Sequence, residues 1–288
     1  MFCYPDYREL LEQCKSFKQQ FKGVFDFLLP YLEKNLYDYI ISIKRLNRGR
    51  KPSRELIAAF LKSYFYLLDN GAKTYTLEEH LGITRGSFYR LLKILCESRL
   101  LESFHESLLY RSDVPSLLLT DASHIRSLQG SEGVAFGYKE KGKRAVKLTI
   151  VSGINKVIYF KAIHPDNLND HLCFEDIVIK NPQPELKTVL ADSAYTGKQF
   201  KENCKKNGYE VISMPKKRSK DSISTYDKIL LKKYRARVEH LFSNIKNFRA
   251  IQIKFNRFLW SFLTFLEGAI LIVSIFYGII KKGLRYSR

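Results

Sequence analysis

The first third of the chain carries hydrophobic residues at helical spacing. Apolar side chains that recur every three to four positions line one face of an α-helix, so this spacing predicts amphipathic helices. One such stretch contains Phe17, Phe21, Val24, Phe25, Leu28 and Leu32. A second such stretch covers residues 54–69. The pattern therefore predicts that residues 1–112 form a helical domain.

From residue 113 onward, short apolar runs alternate with amphipathic stretches. Such runs, bounded by polar residues and glycines, are typical of strands. They predict strands near 115–121, 145–152, 156–164, 187–192 and 210–214, with helices near 170–180, 196–207 and 227–248. Because strands alternate with helices, residues 113–288 are predicted to form an α/β domain with a mixed sheet covered by helices.

A helix-turn-helix pattern lies inside the helical domain, at about residues 76–95. Thr76 and Glu79 have capping-box spacing for a short helix, Gly82 supplies a turn, and Thr84 can cap a second helix. Such motifs place the start of the second helix in the major groove of DNA, although capped short helices also occur in ordinary helix packing. If this helix reads DNA, its contact residues are Arg85, Ser87, Tyr89 and Arg90.

The charge of the chain favours a polyanionic partner. The sequence has 49 Lys and Arg residues against 29 Asp and Glu, which gives a net charge of +20 and a pI of about 9.6. Such an excess is typical of proteins that bind nucleic acid or an anionic membrane, and otherwise reflects a basic proteome. Residues 44–52 form either a solvated connector or a phosphate-contacting arm. A predicted DNA-gripping loop contains Lys216, Lys217, Arg218 and Lys220.

The remaining composition indicates a folded protein of a reducing compartment. Hydrophobic residues make up 45% and aromatic residues 14%, which excludes a disordered tail. Five scattered cysteines without a C-x-x-C pair fit reduced thiols better than a zinc site or a disulfide framework. Charged residues interrupt the amino-terminal segment, so no secretory signal is predicted there. The expected location is cytoplasmic and nucleoid-associated.

Residues 260–280 form an apolar segment of membrane-spanning length. Glu267 lies in the middle of this segment, where a charge is costly inside a bilayer. The segment is therefore predicted to be a buried core helix packed against the sheet, and a transmembrane anchor is the alternative.

Three carboxylates in three settings carry the candidate chemistry. Asp121 follows the apolar run 116–120, Asp192 follows the apolar run 188–191, and Glu239 lies in a basic amphipathic stretch. A short apolar run that ends in an aspartate predicts a buried strand with a carboxylate at the edge of the sheet, where ligands gather. Two such aspartates and a glutamate on a helix predict a site for divalent metal ions that acts on phosphodiester bonds.

The predicted helix over 227–248 carries the third carboxylate. Arg235, Glu239 and Lys246 fall on one side of it, and the other side contains Val238, Leu241, Ile245 and Phe248. Alone, Arg235 and Glu239 would make an ordinary exposed ion pair. Together with the two aspartates they favour an active site, in which Arg235 binds phosphate through two hydrogen bonds and Lys246 binds it as a point charge.

Neighbouring carboxylates repel one another, so this site requires cations. Two Mg²⁺ ions, for which Mn²⁺ can substitute, suit ligands made only of oxygen. One ion would activate water or a DNA 3′-hydroxyl, and the other would stabilise the leaving oxygen. His124 and His240 lie near the site in sequence and are predicted to be structural.

At these residues the chain resembles the DDE-type transposases of bacterial insertion sequences, close to the branch shared with Harbinger-like eukaryotic elements. The similarity lies in residues 120–125, 190–197 and 235–239 followed by Lys246, and residues 167–170 resemble the family's loop between its first two acidic residues. The resemblance implies an RNase H-like fold, with Asp121, Asp192 and Glu239 as catalytic metal ligands.

One departure from the family pattern concerns a tyrosine that often lies three residues before the arginine. Here Lys232 holds that position, and Tyr234 lies one residue before Arg235. The three acidic residues themselves match the family pattern in order.

The expected function is that of a DNA transposase. It would bind the terminal inverted repeats of its element, and catalyse metal-dependent strand cleavage and transfer. Its expected partners are the element ends and the target duplex, with a homodimer as a candidate assembly and no membrane partner. The alternatives are a domesticated, non-catalytic DNA-binding protein, and a basic membrane-anchored protein that rests on residues 260–280 alone.

Overall fold

The chain divides into two compact units, which we call the helical unit (residues 1–111 and 245–288) and the sheet unit (residues 112–244). The computed structural model describes residues 20–44, 51–71, 74, 76–110, 114–128, 131–137, 143–215 and 222–280. The sequence pattern placed all of residues 113–288 in one α/β domain. In the structure, residues 245–288 group with the amino-terminal helices instead.

The amino-terminal part of the helical unit consists of amphipathic helices, as the apolar spacing predicted. Val24, Leu28 and Leu32 lie on one face of the first helix and are all fully buried. Ser53 caps the second helix by accepting a hydrogen bond from the Leu56 amide at 3.2 Å, and Gly71 ends it with φ 60°. The helices are α1 (Gln20–Lys44), α2 (Arg54–Asn70), α3 (Thr76–Leu81), α4 (Arg85–Glu97) and α5 (Leu100–Tyr110).

The carboxyl-terminal part of the helical unit holds the apolar helix. Helix α8 (Thr225–Asn247) begins in the sheet unit, and its last residues, 245–247, belong to the helical unit. Helix α9 (Arg249–Gln252) and the short strand β7 (Ile253–Lys254) follow. Helix α10 (Leu259–Ile275) follows and ends in a π-helical turn, Phe276–Ile280.

Helix α10 is a core helix of the helical unit. By length and composition the segment Leu259–Gly278 could span a membrane, but 83% of its most apolar window is buried inside the protein. It packs on α5, α4, α1 and α2. The predicted core helix is therefore confirmed. The sequence analysis expected it to pack on the sheet, whereas its main contacts are with the helices of its own unit. These contacts are also why residues 245–288 group with the helical unit.

The packing of Tyr64 on α10 shows how closely these helices approach. Its hydroxyl donates a hydrogen bond to the Thr264 carbonyl at 2.6 Å, and its ring stacks on Phe265 with centroids 5.0 Å apart. A Cβ atom at Gly268 would lie 2.3 Å from the Tyr64 hydroxyl, so only glycine fits there. The alternative of a membrane anchor would leave this buried polar group without its partner.

The sheet unit is built on a mixed sheet. Its strands are β1 (Leu117–Ser127), β2 (Ala135–Phe136), β3 (Arg144–Gly153), β4 (Ile158–Pro165), β5 (Lys187–Ala191) and β6 (Tyr209–Ser213). The order is β2-β3-β1-β5-β6, with β4 also paired to β3. Strand β1 is antiparallel to β3 and parallel to β5, and β5 is parallel to β6. The accompanying helices are α6 (Asp170–Lys180), α7 (Lys198–Lys206) and α8. The predicted mixed sheet flanked by helices is confirmed.

Strand β1 is longer than its apolar run predicted. Its partner β3 pairs with it from Leu118 to Ser127, and this antiparallel ladder continues the strand past Asp121. The parallel partner β5 pairs only with residues 117–119. Asp121 therefore lies within β1 and not at its end, just beyond the point where β1 and β5 separate.

Candidate active site

The Asp121 side chain is largely shielded from solvent, and Arg235 is the cation that opposes the cost of burying its negative charge. Its Oδ1 accepts a hydrogen bond from the Ala122 amide at 2.8 Å. Burial raises the pKa of Asp121 to about 6, and the negative charges of Asp192 and Asp170 act in the same direction. The Ala122 amide and the Arg235 guanidinium oppose this rise without cancelling it. Asp121 therefore lies close enough to Asp192 and Arg235 to sense both charges.

Asp192 follows directly after β5 and begins a turn. Its carboxylate accepts a hydrogen bond from the Ser193 amide, and its backbone carbonyl accepts one from the Tyr195 amide at 3.0 Å. The Asp192 side chain is 32% exposed, and its Oδ2 lies 3.2 Å from Nη2 of Arg235. The tight turn holds this carboxylate at the end of β5, next to the widening gap between β5 and β1.

Helix α8 brings the third carboxylate to the same place through Arg235. The Arg235 Nε lies 3.7 Å from Oε1 of Glu239, one helical turn further along. Glu239 is the most exposed of the group, with 60% of its side chain accessible, and Arg235 is 43% exposed. A single guanidinium thus bridges Asp192 and Glu239 and also acts on Asp121.

The buried tyrosine after Asp192 reports the same negative potential. Tyr195 is fully buried, and burial raises its pKa well above the usual value, with the charges of Asp121 and Asp170 adding to the shift. Its ring packs edge-on against Phe174 of α6 at 5.9 Å between centroids. Tyr195 therefore remains protonated and senses the negative charge of the site from within the core.

The predicted cluster of three metal ligands is only partly assembled in the structure. Among the described residues, no group of three or more His, Cys, Asp and Glu side chains has an arrangement that could hold a metal ion. Asp121 and Asp192 sense each other, whereas Glu239 is directed to Arg235. The carboxylates of Asp121 and Asp192, which repel one another, are oxygen donors of the kind that a hard divalent cation prefers. Asp192 and Glu239 both contact the Arg235 guanidinium, which therefore occupies the space between them.

Two further acid–base residues near the site were not singled out from the sequence. Lys147 of β3 is 4% exposed, and its ammonium lies 2.7 Å from Oδ1 of Asp170 at the start of α6. It also donates a hydrogen bond to the Leu168 carbonyl. The available signal was a single lysine within the apolar run of β3, because a charge inside a buried strand requires a partner.

Lys147 is the middle member of a row across three strands. The sheet register places it opposite His124 of β1 on one side and His164 of β4 on the other. Each base contacts its own aspartate. His124 binds Asp166, whose side chain is fully buried, and His164 Nε2 lies 3.2 Å from Asp176. We call these three pairs the base–acid row. His124 thus has the structural contact that the sequence analysis expected.

The predicted DNA-reading residues lie on the polar face of α4. Thr84 caps this helix by accepting a hydrogen bond from the Ser87 amide at 3.3 Å. The Arg90 guanidinium donates to the Ser87 hydroxyl at 3.4 Å, and the Arg85 guanidinium lies 5.8 Å from the centre of the Tyr89 ring. The opposite face is buried through Phe88, Leu91, Leu92 and Leu95. The predicted capped second helix is therefore present, and its role in DNA reading stays a prediction.

Of the other predicted DNA contacts, some lie outside the residues that the structure describes and one lies on α8. Lys216, Lys217, Arg218 and Lys220 lie outside the described residues, as do residues 45–50 of the basic connector. Lys246 lies in the last turn of α8 and is half-buried. His240 is exposed on α8, and its backbone carbonyl accepts a hydrogen bond from Asn244 at 2.8 Å.

Comparison with solved structures defines the class of the fold. The piggyBac transposase, determined by cryo-electron microscopy in a synaptic complex with hairpin DNA, aligns with a TM-score of 0.59 at 9% identity, over 94% of this chain and 78% of that chain. The Mos1 transposase paired-end complex with left transposon end gives 0.25 at 11% identity, over 83% and 96%. The piggyBac likeness shows that the two chains share a fold. A comparison with curated protein sequences gives no significant match.

The family itself follows from the sequence of the sheet unit and the residues after it. Residues 112–266, more than half of the chain, match the family model described as the transposase DDE domain. The chain therefore belongs to the transposase DDE domain family and is an enzyme of DNA cleavage and transfer. This confirms the resemblance drawn from the acidic motifs. The bacterial origin and the Harbinger-like branch stay predictions.

Proposed function

We propose that this transposase binds the terminal inverted repeats of its own element and catalyses metal-dependent DNA strand cleavage and strand transfer. The observation that carries the proposal is the bridging of Asp192 and Glu239 by Arg235, beside the desolvated carboxylate of Asp121. A carboxylate cluster with a guanidinium at its edge provides ligands for hard cations and a donor for phosphate oxygens.

Each residue has a distinct task in this proposal. Asp121 and Asp192 would hold divalent metal, and Glu239 would complete the ligand set when Arg235 turns to phosphate. Bound Mg²⁺ or Mn²⁺ supplies activation of water or a 3′-hydroxyl and stabilisation of the leaving oxygen. Arg235 has five N–H donors in a planar fork, which suits a non-bridging pair of phosphate oxygens. Its release from Glu239 would couple DNA binding to assembly of the site.

The net charge supports double-stranded DNA as the partner. A charge of +20 favours a polyanion, and the capped helix α4 with Arg85 and Arg90 offers a basic face for the element ends. Transposition joins an element end to a target duplex, so both are proposed substrates. We further propose that a homodimer pairs the two ends and that the protein works in the cytoplasm with the nucleoid.

A cleavage assay tests the proposal. The substrates are duplexes that contain either end of the DNA segment carrying the gene, and the metal is Mg²⁺, Mn²⁺, Ca²⁺ or none. Cleavage is expected with Mg²⁺ and Mn²⁺, whereas Ca²⁺ should support binding with little cleavage. Full activity in EDTA would contradict metal dependence.

A pair of variants separates binding from chemistry. Asp192→Asn should abolish cleavage and leave DNA affinity unchanged or higher, because the variant loses one negative charge. Asp227→Asn removes the same charge from the first turn of α8 and should cleave normally. A domesticated, non-catalytic protein would instead bind the ends without cutting them in any metal.

A further inference from the structure

Helix α8 carries a line of charged residues that leads up to the candidate active site. Lys228, Lys232, Arg235 and Glu239 are separated by four, three and four positions. Residues at this spacing lie one above the other on a single helical face. The two lysines therefore share the face whose other end holds the bridging guanidinium and the third carboxylate.

Both lysines are available for a ligand. Lys228 and Lys232 are exposed, and neither has an ion pair within 4.0 Å among the residues that the structure describes. The neighbouring Leu231 is 3% exposed and Val238 is 2% exposed, so the buried face of the helix fixes its rotation. Helix α8 therefore cannot rotate about its axis and carry the two lysines to another side without exposing these buried residues.

The length of the line matches a short stretch of nucleic-acid backbone. Seven residues separate Lys228 from Arg235, which is about 10 Å along a helix that rises 1.5 Å per residue. One strand of B-DNA advances about 3.4 Å per phosphate along the helix axis. The line from Arg235 to Lys228 therefore spans about three phosphate-to-phosphate steps measured along the duplex axis, so its three cations can each reach a different phosphate.

We propose that Lys228 and Lys232 form a phosphate-binding track that holds the DNA strand beside the bond to be cut. This inference rests on the proposed transposase chemistry and adds the residues that set the position of the strand. Arg235 binds at the reacting end of the track, and the two lysines bind successive phosphates away from it. Lys232 thereby gives a role to the position at which the resembling transposases often have tyrosine.

Lys233 provides a matched control for this proposal. It is exposed and adjacent to Lys232, but it lies on a different face, and its ammonium is 5.3 Å from the centre of the Tyr234 ring. Lys228→Gln, Lys232→Gln and Lys233→Gln each remove one positive charge from the same helix. Any general effect of net charge on DNA affinity is therefore equal in the three variants.

The experiment measures affinity for a duplex of the element end across salt concentrations, together with single-turnover cleavage. Each phosphate contact contributes about 0.9 to the slope of log affinity against log salt, so Lys228→Gln and Lys232→Gln should each lower the slope by about one. Lys233→Gln should keep the wild-type slope. Lys232→Arg keeps the charge and should restore both slope and cleavage.

The outcomes distinguish this inference from the function it rests on. If the wild-type protein neither binds nor cuts the element end, the proposed function fails. If the wild-type protein cuts the DNA but Lys228→Gln and Lys232→Gln keep the slope and rate of Lys233→Gln, only the phosphate track is overturned. Circular dichroism of each variant confirms that α8 is intact, since none of the three side chains is buried.

Discussion

The acidic residues of the sheet unit fall into two regions, which differ in how many basic partners they have. In the base–acid row, Asp166, Asp170 and Asp176 each contact a base of their own. Near the point where β1 and β5 separate, Asp121, Asp192 and Glu239 share one guanidinium, that of Arg235. A buried charge with its own partner contributes to structure, whereas a group with excess negative charge attracts a cation. The difference separates the acidic residues that hold the fold from those that we propose carry the chemistry.

The two regions are neighbours, and Asp170 belongs to both. Its ion pair with Lys147 is nearly sealed, with 5% and 11% of the two side chains exposed. Its charge nevertheless adds to the negative potential at Asp121 and Tyr195. The Lys147–Asp170 pair therefore anchors the start of α6, and the Asp170 charge makes the site around Asp121 more negative.

The largest effect is expected from Asp121→Asn. Like Asp192→Asn, loss of this carboxylate should lower strand cleavage by at least about 10³-fold, the upper figure for loss of one hydrogen-bond donor to a developing charge. The melting temperature should be equal to or above that of the wild type, because the variant no longer desolvates a charge at this position. Single-turnover cleavage and thermal unfolding measure the two. A large loss of stability would place Asp121 with the structural acids.

The second effect concerns stability and not chemistry. Lys147→Met removes the ammonium that pairs with the buried Asp170 carboxylate and should lower the free energy of unfolding by about 3–5 kcal/mol. Adding Asp170→Leu removes the buried carboxylate as well and should recover most of the loss. Urea unfolding of both variants tests this. If the double variant is no more stable than Lys147→Met, the pair is not the source of the loss.

The third effect is a pH dependence of stability in metal-free protein. The pKa of Asp121 is raised to about 6 in the folded state, above the ordinary value of about 4, so the folded protein binds more protons between these values. The contribution of this group to stability is therefore fully present below about pH 4 and falls as the pH rises to about 6. Asp121→Asn should flatten this part of the stability curve in EDTA. An unchanged curve would show that Asp121 is not the group that titrates.

The smallest effect is expected at the exposed end of the row. Lys180 and, more weakly, His164 lower the pKa of Asp176, and its side chain is 35% exposed. Its stabilising contribution is present above its unfolded pKa and is lost as the pH falls through the folded value. Because solvent screens the pair, Asp176→Asn should cost less than about 1 kcal/mol in urea unfolding. A loss of stability as large as that of Lys147→Met would show that the contribution of each pair in the row does not depend on its solvent exposure.

Local patterns in the sequence were sufficient for elements with a strong period or a clear signal at their ends. The apolar spacing of Val24, Leu28 and Leu32 predicted a helix that is present as α1, and Thr84 caps α4 as its position indicated. The run before Asp192 predicted a strand that is present as β5. Helical periodicity also placed Arg235 and Glu239 together on α8. These features depend on residues that are near in sequence, so a linear pattern contains them.

Features that depend on distant partners were decided by the tertiary structure. Strand β1 continues past Asp121 because β3 pairs with it, and no property of residues 122–127 alone required this. The apolar segment 260–280 was predicted to be a buried helix, with a transmembrane anchor as the alternative. It is apolar on all sides, so the sequence could not show which elements would pack on it. Lys147 and Asp170 are far apart in sequence, and their ion pair exists because strand register and the start of α6 bring them together. Residue type and periodicity thus settled which face of each element is acidic, basic or apolar. The fold settled which carboxylates have a base of their own and which share one guanidinium, because that depends on strands and helices that are distant in sequence.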